Sequence, residues 1–174
     1  MTCCSNSMPL RHQIKQNMNA AFYNIIKHAI NNNDFDYIVR LYKEIRDRLA
    51  QMLFNKNGNA YKALLEDFDI QFFEQRLSNN AFDSHSMQSL VGKTFSWIHR
   101  LQMPIRDTES EQAKIRVLQN VTSMDEMVPN YIREVHGCID TMEQDMKEFY
   151  ENQNHPVVKE MLRKAVEHIQ SQKK

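Results

Sequence analysis

The sequence predicts an all-α protein, a single-domain helical bundle of about six or seven helices. Apolar residues recur every three or four positions along almost the whole chain, as they do on one face of an α-helix. The chain has only three glycines and four prolines, whereas β-sandwiches and barrels need turn residues every ~8–12 positions. A length of 174 residues suits one hydrophobic core. We therefore expect residues 9–174 to form one helical domain and residues 1–8 a disordered N-terminal tip.

The first two predicted helices form an antiparallel hairpin. The first ends at asparagines 31–33, and Asp34 can cap the second, whose apolar stripe covers residues 35–53 before the break at residues 57–59. Spacings of three and four predict one apolar face for the first helix. This face is formed by Ile14, Met18, Ala21, Phe22, Ile25, Ile26, Ala29 and Ile30.

The third and fourth predicted helices contain most of the aromatic residues. The third covers residues 61–77, and we expect its aromatic residues, Tyr61, Phe68, Phe72 and Phe73, to form the centre of the core. The fourth begins near Ser84 and ends before Pro104, because a proline disfavours helical dihedral angles in the preceding residue. A bend is therefore expected at Pro104.

Three more helical segments complete the predicted bundle. A short fifth helix surrounds Leu118, and a sixth covers residues 132–149. Residues 123–126 have the Ser-x-x-Glu spacing of a capping box, although Pro129 could instead open the first turn. A last helix opens at Pro156.

Composition restricts the partners and the compartment. The 22 basic and 22 acidic residues leave no net field for nucleic acid, and no run approaches the ~18 apolar residues of a membrane span. The three cysteines are odd in number and form no disulfide framework, so we expect a cytoplasmic protein. Cys3 and Cys4 are either free thiols, acylation targets or, with His12, part of a metal site.

No motif predicts a nucleotide site. Gly92 begins a Gly-Lys-Thr triplet, but a phosphate-binding loop needs a further glycine where Met87 stands, and a preceding strand. Gly92 and Gly137 are expected instead to permit close approach of a neighbouring helix.

The seven histidines show neither the His-Glu-x-x-His nor the Glu-x-x-His spacing of helical metal sites. His136 and Cys138 are two residues apart, so on one helix they point in different directions and cannot form a nucleophile–base pair. We therefore predict no catalytic residues, no metal ligands and no cofactor.

Two charged residues predict a structural contact. Asp145 borders the apolar stripe of the sixth helix, where an unpaired carboxylate would be costly. Arg106, just after the Pro104 bend, can satisfy both carboxylate oxygens. We predict an ion pair between them, with solvation of both groups at a helix margin as the alternative.

Five ordered blocks within residues 29–150 resemble the T-complex protein 11 family. They are residues 29–53, 64–69, 80–83, 101–107 with Pro-x-Arg-Asp, and 142–149 with Met-x-x-Asp-Met. The resemblance implies an all-helical, non-enzymatic protein associated with cyclic-AMP-dependent kinase signalling and, in animals, with sperm function. It makes Pro104, Arg106, Asp107 and Asp145 the candidate site, as a structural ion pair or as a partner-binding corner.

We expect a helical module that binds a protein partner and modulates signalling without catalysis. The alternative is a structural or assembly protein, such as a virion component, that uses the same helical faces. An enzyme using His99, His136 or Cys138 is a third hypothesis. An exposed apolar groove would favour the module, a large flat interface the assembly protein, and a deep pocket of titratable groups the enzyme. The sequence leaves the identity of the partner and the oligomeric state open.

Overall fold

The computed structural model describes residues 10–119, 123–153, 155–157, 159–161 and 163–164. These residues contain seven α-helices and no strand, so the all-α prediction is confirmed. The helices are α1 (Leu10–Asn31), α2 (Phe35–Gln51), α3 (Asn59–Asp67), α4 (Ile70–Ser78), α5 (Ser84–Leu101), α6 (Asp107–Gln119) and α7 (Met124–Asn152), and a 3₁₀ turn (Pro104–Arg106) precedes α6. The predicted N-terminal tip, with Cys3 and Cys4, lies outside the described residues.

The final predicted helix is described only in part. Residues 156–157, 159–161 and 163–164 have helical geometry, and the remainder of that segment lies outside the described residues.

α7 lies at the centre of the bundle and contacts α1, α2, α5 and α6. α1 runs antiparallel to α7. Lys27, late in α1, lies 3.7 Å from the Asp125 carboxylate near the beginning of α7, whereas Phe22, earlier in α1, packs against the ring of His136, further along α7. The long central helix therefore provides a shared surface on which the flanking helices are arranged.

The predicted third helix is two helices. Phe68, with φ −109° and ψ 58°, leaves the helical region, and Asp69 begins α4 by accepting a hydrogen bond from the Phe72 amide at 3.0 Å. An aspartate side chain that bonds to a nearby amide competes with the continuing helix. The prediction of one continuous helix over residues 61–77 was wrong for this reason.

α7 begins at Met124, with Ser123 at the N-cap position, but the Ser123 side chain accepts no hydrogen bond from a helical amide, so the capping box predicted for residues 123–126 does not form. Pro129 is buried inside α7. The alternative in which the first turn opened at Pro129 was therefore wrong. The proline lies close enough to the helix N-terminus that its missing N–H removes only one bond from the second turn.

The core contains an aromatic cluster between α2 and α4. The rings of Tyr42 and Phe73 lie 4.1 Å apart between centroids, Phe68 lies 5.4 Å from Tyr42, and Phe82 meets Phe73 edge-on at 5.2 Å. Offset and edge-on rings add to the free energy gained by burying apolar surface. Phe72, in contrast, is 56% exposed, and Tyr61 is only partly buried. The expectation that these two residues lie at the centre of the core was therefore wrong, because the break at Asp69 gives α4 a new direction.

Gly92 and Gly137 do not mark close helix contacts. A Cβ atom built at either glycine would have no neighbouring heavy atom within 4 Å, and both residues are exposed. The expectation that they let another helix approach was wrong.

Candidate functional site

The Pro104 corner consists of residues 102–107 together with Asp145. Met103 is extended, with ψ 141°, and Pro104 opens the 3₁₀ turn that places Arg106 over α7. Arg106 donates from Nη2 to Asp145 Oδ1 at 2.9 Å and from Nε to Oδ2 at 3.0 Å. Asp145 is only 6% exposed, so the arginine fork compensates a buried carboxylate.

Asp107 has a different set of partners within the Pro104 corner. Its Oδ1 accepts a hydrogen bond from Gln102 Nε2 at 2.8 Å and lies 3.2 Å from His99 Nδ1. Gln102 Nε2 also donates to Ser110 Oγ at 2.8 Å. Asp107 therefore ties the end of α5 to the beginning of α6, while Arg106 ties α6 to α7.

These contacts favour the structural alternative for the charged residues of the Pro104 corner, because their polar atoms are engaged within the protein. The apolar side chains beside them are different: Ile105 is 80% exposed and Met103 is 44% exposed. Any binding at the corner would therefore use Met103 and Ile105 more readily than Arg106 or Asp107.

A cleft of about 510 Å³ lies between α1 and α6, above α7. α6 is antiparallel to α7, because Arg116 late in α6 pairs with Glu134 while Arg106 before α6 pairs with Asp145. Since α1 is also antiparallel to α7, the two flanking helices form parallel walls, and α7, including Gly137, forms the floor.

His136 and Cys138 both line this cleft. Burial lowers the pKa of the His136 imidazole, and it raises the pKa of the Cys138 thiol to about 11. The thiol therefore stays protonated near neutral pH, which is unfavourable for a nucleophile. His136 Nε2 is buried and has no hydrogen-bond partner among the described residues.

Two arginines share one carboxylate at one end of the cleft. Arg116 donates from Nη2 to Glu134 Oε2 at 2.7 Å, and Arg133 donates from Nη2 to the other oxygen, Oε1, at 3.2 Å. Arg133 also lies over the ring of Tyr23, with 5.6 Å from Cζ to the centroid. Two positive groups around one negative group leave this end of the cleft with local positive charge.

The exposed surface of α1 carries a second candidate site, the α1 stripe, which consists of Ile14, Met18, Ala21 and Ile25. Ile14, Met18 and Ile25 are 51%, 66% and 53% exposed, and Ala21 is exposed as well. These residues recur at intervals of four, three and four. α1 therefore has apolar residues on a surface that the described part of the bundle does not cover.

Sequence reasoning treated all apolar residues of α1 as one face, whereas the structure divides them. Ile26 and Ala29 are buried and the α1 stripe is exposed. The sequence contained a signal of this division, because at about 100° per residue the eight apolar positions of α1 span about 180° around the helix, from Ala21 to Ile30. One contact with the core cannot bury so wide an apolar arc.

A cluster of three charged residues between α2 and α7 was not predicted from the sequence. Arg48 donates to Asp140 at 2.6 Å and to both oxygens of Glu143 at 2.7 and 2.9 Å. These residues lie more than 90 positions apart in the chain, and no local pattern links them.

The part of the chain that the structure describes contains no group of three His, Cys, Asp or Glu side chains able to hold a metal ion. In the same residues, no helix is both long and apolar enough to cross a bilayer.

The fold and the Pro104 corner define the class of the molecule, an all-α helical bundle in which two charged contacts fix α6 between α5 and α7. A family model described as T-complex protein 11 matches residues 4–168, and the chain belongs to this family. The resemblance of the five blocks within residues 29–150 is thereby confirmed. No solved structure matches the chain.

Proposed function

We propose that this protein is a non-catalytic helical module that binds a partner protein through the α1 stripe. The observation that carries this proposal is the exposure of Ile14, Met18 and Ile25 on one helix. Together with Ala21, these residues have the spacing of four, three and four that is found in the seam through which α-helices pack against one another. An apolar seam of this kind gains free energy when another helix covers it.

The charge of α1 indicates the chemistry of the partner. The sequence of α1 contains three lysine or arginine residues, of which Lys27 pairs with Asp125, and no aspartate or glutamate. Complementary charges at the rim of an interface accelerate association and select the partner. The partner is therefore an amphipathic helix whose apolar seam is flanked by acidic residues.

The family resemblance extends the proposal to cyclic-AMP-dependent kinase signalling. We include a subunit of that kinase as the first partner to test. The cytoplasmic location expected from the composition and the reduced cysteines is part of the same proposal.

The chemistry of the cleft supports a function without catalysis. A catalytic cysteine is activated by a lowered pKa, whereas burial raises the pKa of Cys138 to about 11. His136, its neighbour in the cleft, favours the neutral form because burial lowers its pKa.

The test is affinity purification of the full chain from its native cell, followed by mass spectrometry and by binding measurements with each purified partner. Met18→Glu and Ile25→Glu should weaken binding by at least about tenfold, because each places a charge within the seam. Phe54→Glu is the matched control, since Phe54 is 93% exposed but lies outside α1.

Equal binding by Met18→Glu and by the unchanged protein would refute the α1 stripe as the interface. Analytical ultracentrifugation, which measures the oligomeric state, distinguishes the assembly alternative from the proposed binding module. If the purified chain forms oligomers that Met18→Glu dissociates, the stripe joins copies of this chain, and a structural role replaces the proposed one.

A further inference from the structure

The cleft between α1 and α6 has the size and lining of a small-ligand site. Its volume of about 510 Å³ lies within the ~300–1,000 Å³ usual for ligand pockets. Phe22 and Ile26 contribute apolar surface from α1, and Ala113 contributes it from α6. Polar groups of α6 and α7 converge on the same space, as they do in sites that orient a ligand.

The floor of the cleft is open because residue 137 is a glycine. Gly137 lies inside the longest described helix, and a side chain there would meet no heavy atom within 4 Å of its Cβ. Its φ is not positive, so neither backbone conformation nor close helix packing requires glycine at this position. The missing side chain leaves room for another molecule to approach α7.

The positive end of the cleft provides donors for an anion. Arg116 and Arg133 are 54% and 49% exposed, although both are paired with Glu134. Each guanidinium has five N–H groups and uses two of them on this carboxylate. The remaining donors can bind anionic oxygens without breaking either ion pair.

His136 provides an independent indication of a ligand. His136, on the α7 floor, lines the cleft, and its Nε2 is buried without a partner among the described residues. Buried polar atoms nearly always have a hydrogen-bond partner in a protein. If the His136 ring turns towards the cleft, a polar atom of a bound molecule can supply this partner.

We propose that the cleft binds a small amphipathic anion, whose carboxylate or phosphate group contacts Arg116 and Arg133 and whose apolar body lies over Gly137. The α1 stripe does not line the cleft, so this site is distinct from the proposed protein interface. The His136 ring turns towards the cleft, its Nε2 forms a hydrogen bond with a polar atom of the ligand, and Phe22 covers the apolar body of the ligand.

The first experiment measures binding of 8-anilinonaphthalene-1-sulfonate, a fluorescent aromatic anion, to the purified full chain. Gly137→Leu fills the cleft and should weaken binding by at least about tenfold. Gly92→Leu is the matched control, because Gly92 is also an exposed glycine within a helix with no neighbour near its Cβ, but it lies outside the cleft. The control should bind like the unchanged protein.

A second variant tests the anionic contact at the protein surface. Arg116→Gln combined with Arg133→Gln should weaken binding of the same probe by about tenfold, since both charged donors are lost. Glu134→Gln is included in the same variant, because the Glu134 side chain is only 13% exposed and its carboxylate would otherwise lose both partners. Circular dichroism and thermal melting verify the fold of every variant.

Competition with the bound probe distinguishes the two anions. Hexanoate or hexyl phosphate should displace it, and the more effective competitor identifies the preferred group. Hexanol and inorganic phosphate each carry half of the required chemistry and should displace it at least about tenfold less effectively. Equal binding by the unchanged protein and Gly137→Leu would overturn the site, and equal displacement by hexanol and hexanoate would overturn the anion.

Discussion

Asp145 and Arg106 form an unequal pair. Asp145 is 6% exposed, whereas the Arg106 side chain keeps 34% of its surface in solvent. Arg106 also lies 3.3 Å from the Glu109 carboxylate. Loss of Asp145 therefore leaves an arginine with water and a second acidic partner, but loss of Arg106 leaves a buried carboxylate without its counter-ion.

This difference in burial predicts which of two variants loses more stability. Arg106→Ala should lower the melting temperature by several degrees and by more than Asp145→Ala, because only the former leaves a buried charge unpaired. The double variant should cost less than the sum of the single variants. Lys147→Ala, which removes an exposed i,i+4 pair with Glu151, is the control and should have little effect.

Urea denaturation of the four proteins in this cycle measures the coupling directly. If the losses in the free energy of unfolding of the two single variants add up strictly to that of the double variant, Arg106 and Asp145 do not stabilise the bundle as a pair.

His136 predicts a pH dependence of stability. Its pKa is lowered in the folded protein, first by burial, with Arg48 contributing in the same direction and Glu44, Asp140 and Glu143 opposing it. The unfolded chain therefore takes up a proton near the ordinary pKa of 6.5, while the folded protein does not. The stabilisation contributed by His136 is present above about pH 6.5 and is lost as the pH falls below it.

His136→Gln removes this titration. Urea melts from pH 8 to pH 5 should show a smaller loss of stability in the variant than in the unchanged protein. The two curves should run parallel above about pH 7, where both states of His136 are neutral. Parallel curves over the whole range would contradict the prediction.

At the scale of the helix, α1 and α7 differ in what surrounds them. α7 contacts four other helices, so its apolar positions are covered on several sides. α1 lies on α2 and α7 and leaves the α1 stripe exposed. The same periodicity of apolar residues thus produces a covered apolar face in α7 and an exposed apolar seam in α1.

Glycine inside a helix offers a direct test of helix stability. Gly92→Ala and Gly137→Ala should each stabilise the protein by up to about 1 kcal/mol, because alanine loses less backbone entropy and neither Cβ meets a neighbour. For a chain of this size the corresponding rise in melting temperature is about 2–4 °C per kcal/mol. Differential scanning calorimetry measures it, and a lower melting temperature in either variant would contradict the open surroundings of that glycine.

At the scale of the whole molecule, charged contacts connect the outer helices to α7. Arg48 joins α2 to α7, Arg116 joins α6 to α7, and Lys27 joins α1 to α7. Some of the basic and acidic residues, which are equal in number, therefore pair with one another between helices of the bundle. Ion pairs with solvent-exposed partners contribute little to the free energy of folding. The apolar core therefore remains the main source of stability.

The whole protein is expected to keep its melting temperature when EDTA or excess zinc is added. A metal that binds only the folded state must raise stability by mass action, and the described residues hold no cluster of three ligands. Thermal melts with and without zinc provide the measurement. A rise with zinc that Cys3→Ser and Cys4→Ser abolish would instead identify the N-terminal cysteines as ligands.

The sequence by itself determined the helical class, the family and most helix positions, because periodicity, capping residues and prolines act within a few residues. Asp34 caps α2, and Pro104 opens the turn between α5 and α6, as local chemistry predicts. The pairing of Arg106 with Asp145 could be proposed because one charge bordered an apolar stripe and the other followed a bend.

Only the tertiary structure decided which apolar residues of α1 are covered, and it brought His136, Gly137, Arg116 and Arg133 to one cleft. It also placed Arg48 beside Glu143, 95 residues away. Such features depend on how α1, α2 and α6 are arranged around α7. A helix's own sequence specifies its apolar arc, but the free energy of packing the whole bundle selects which part of that arc is buried.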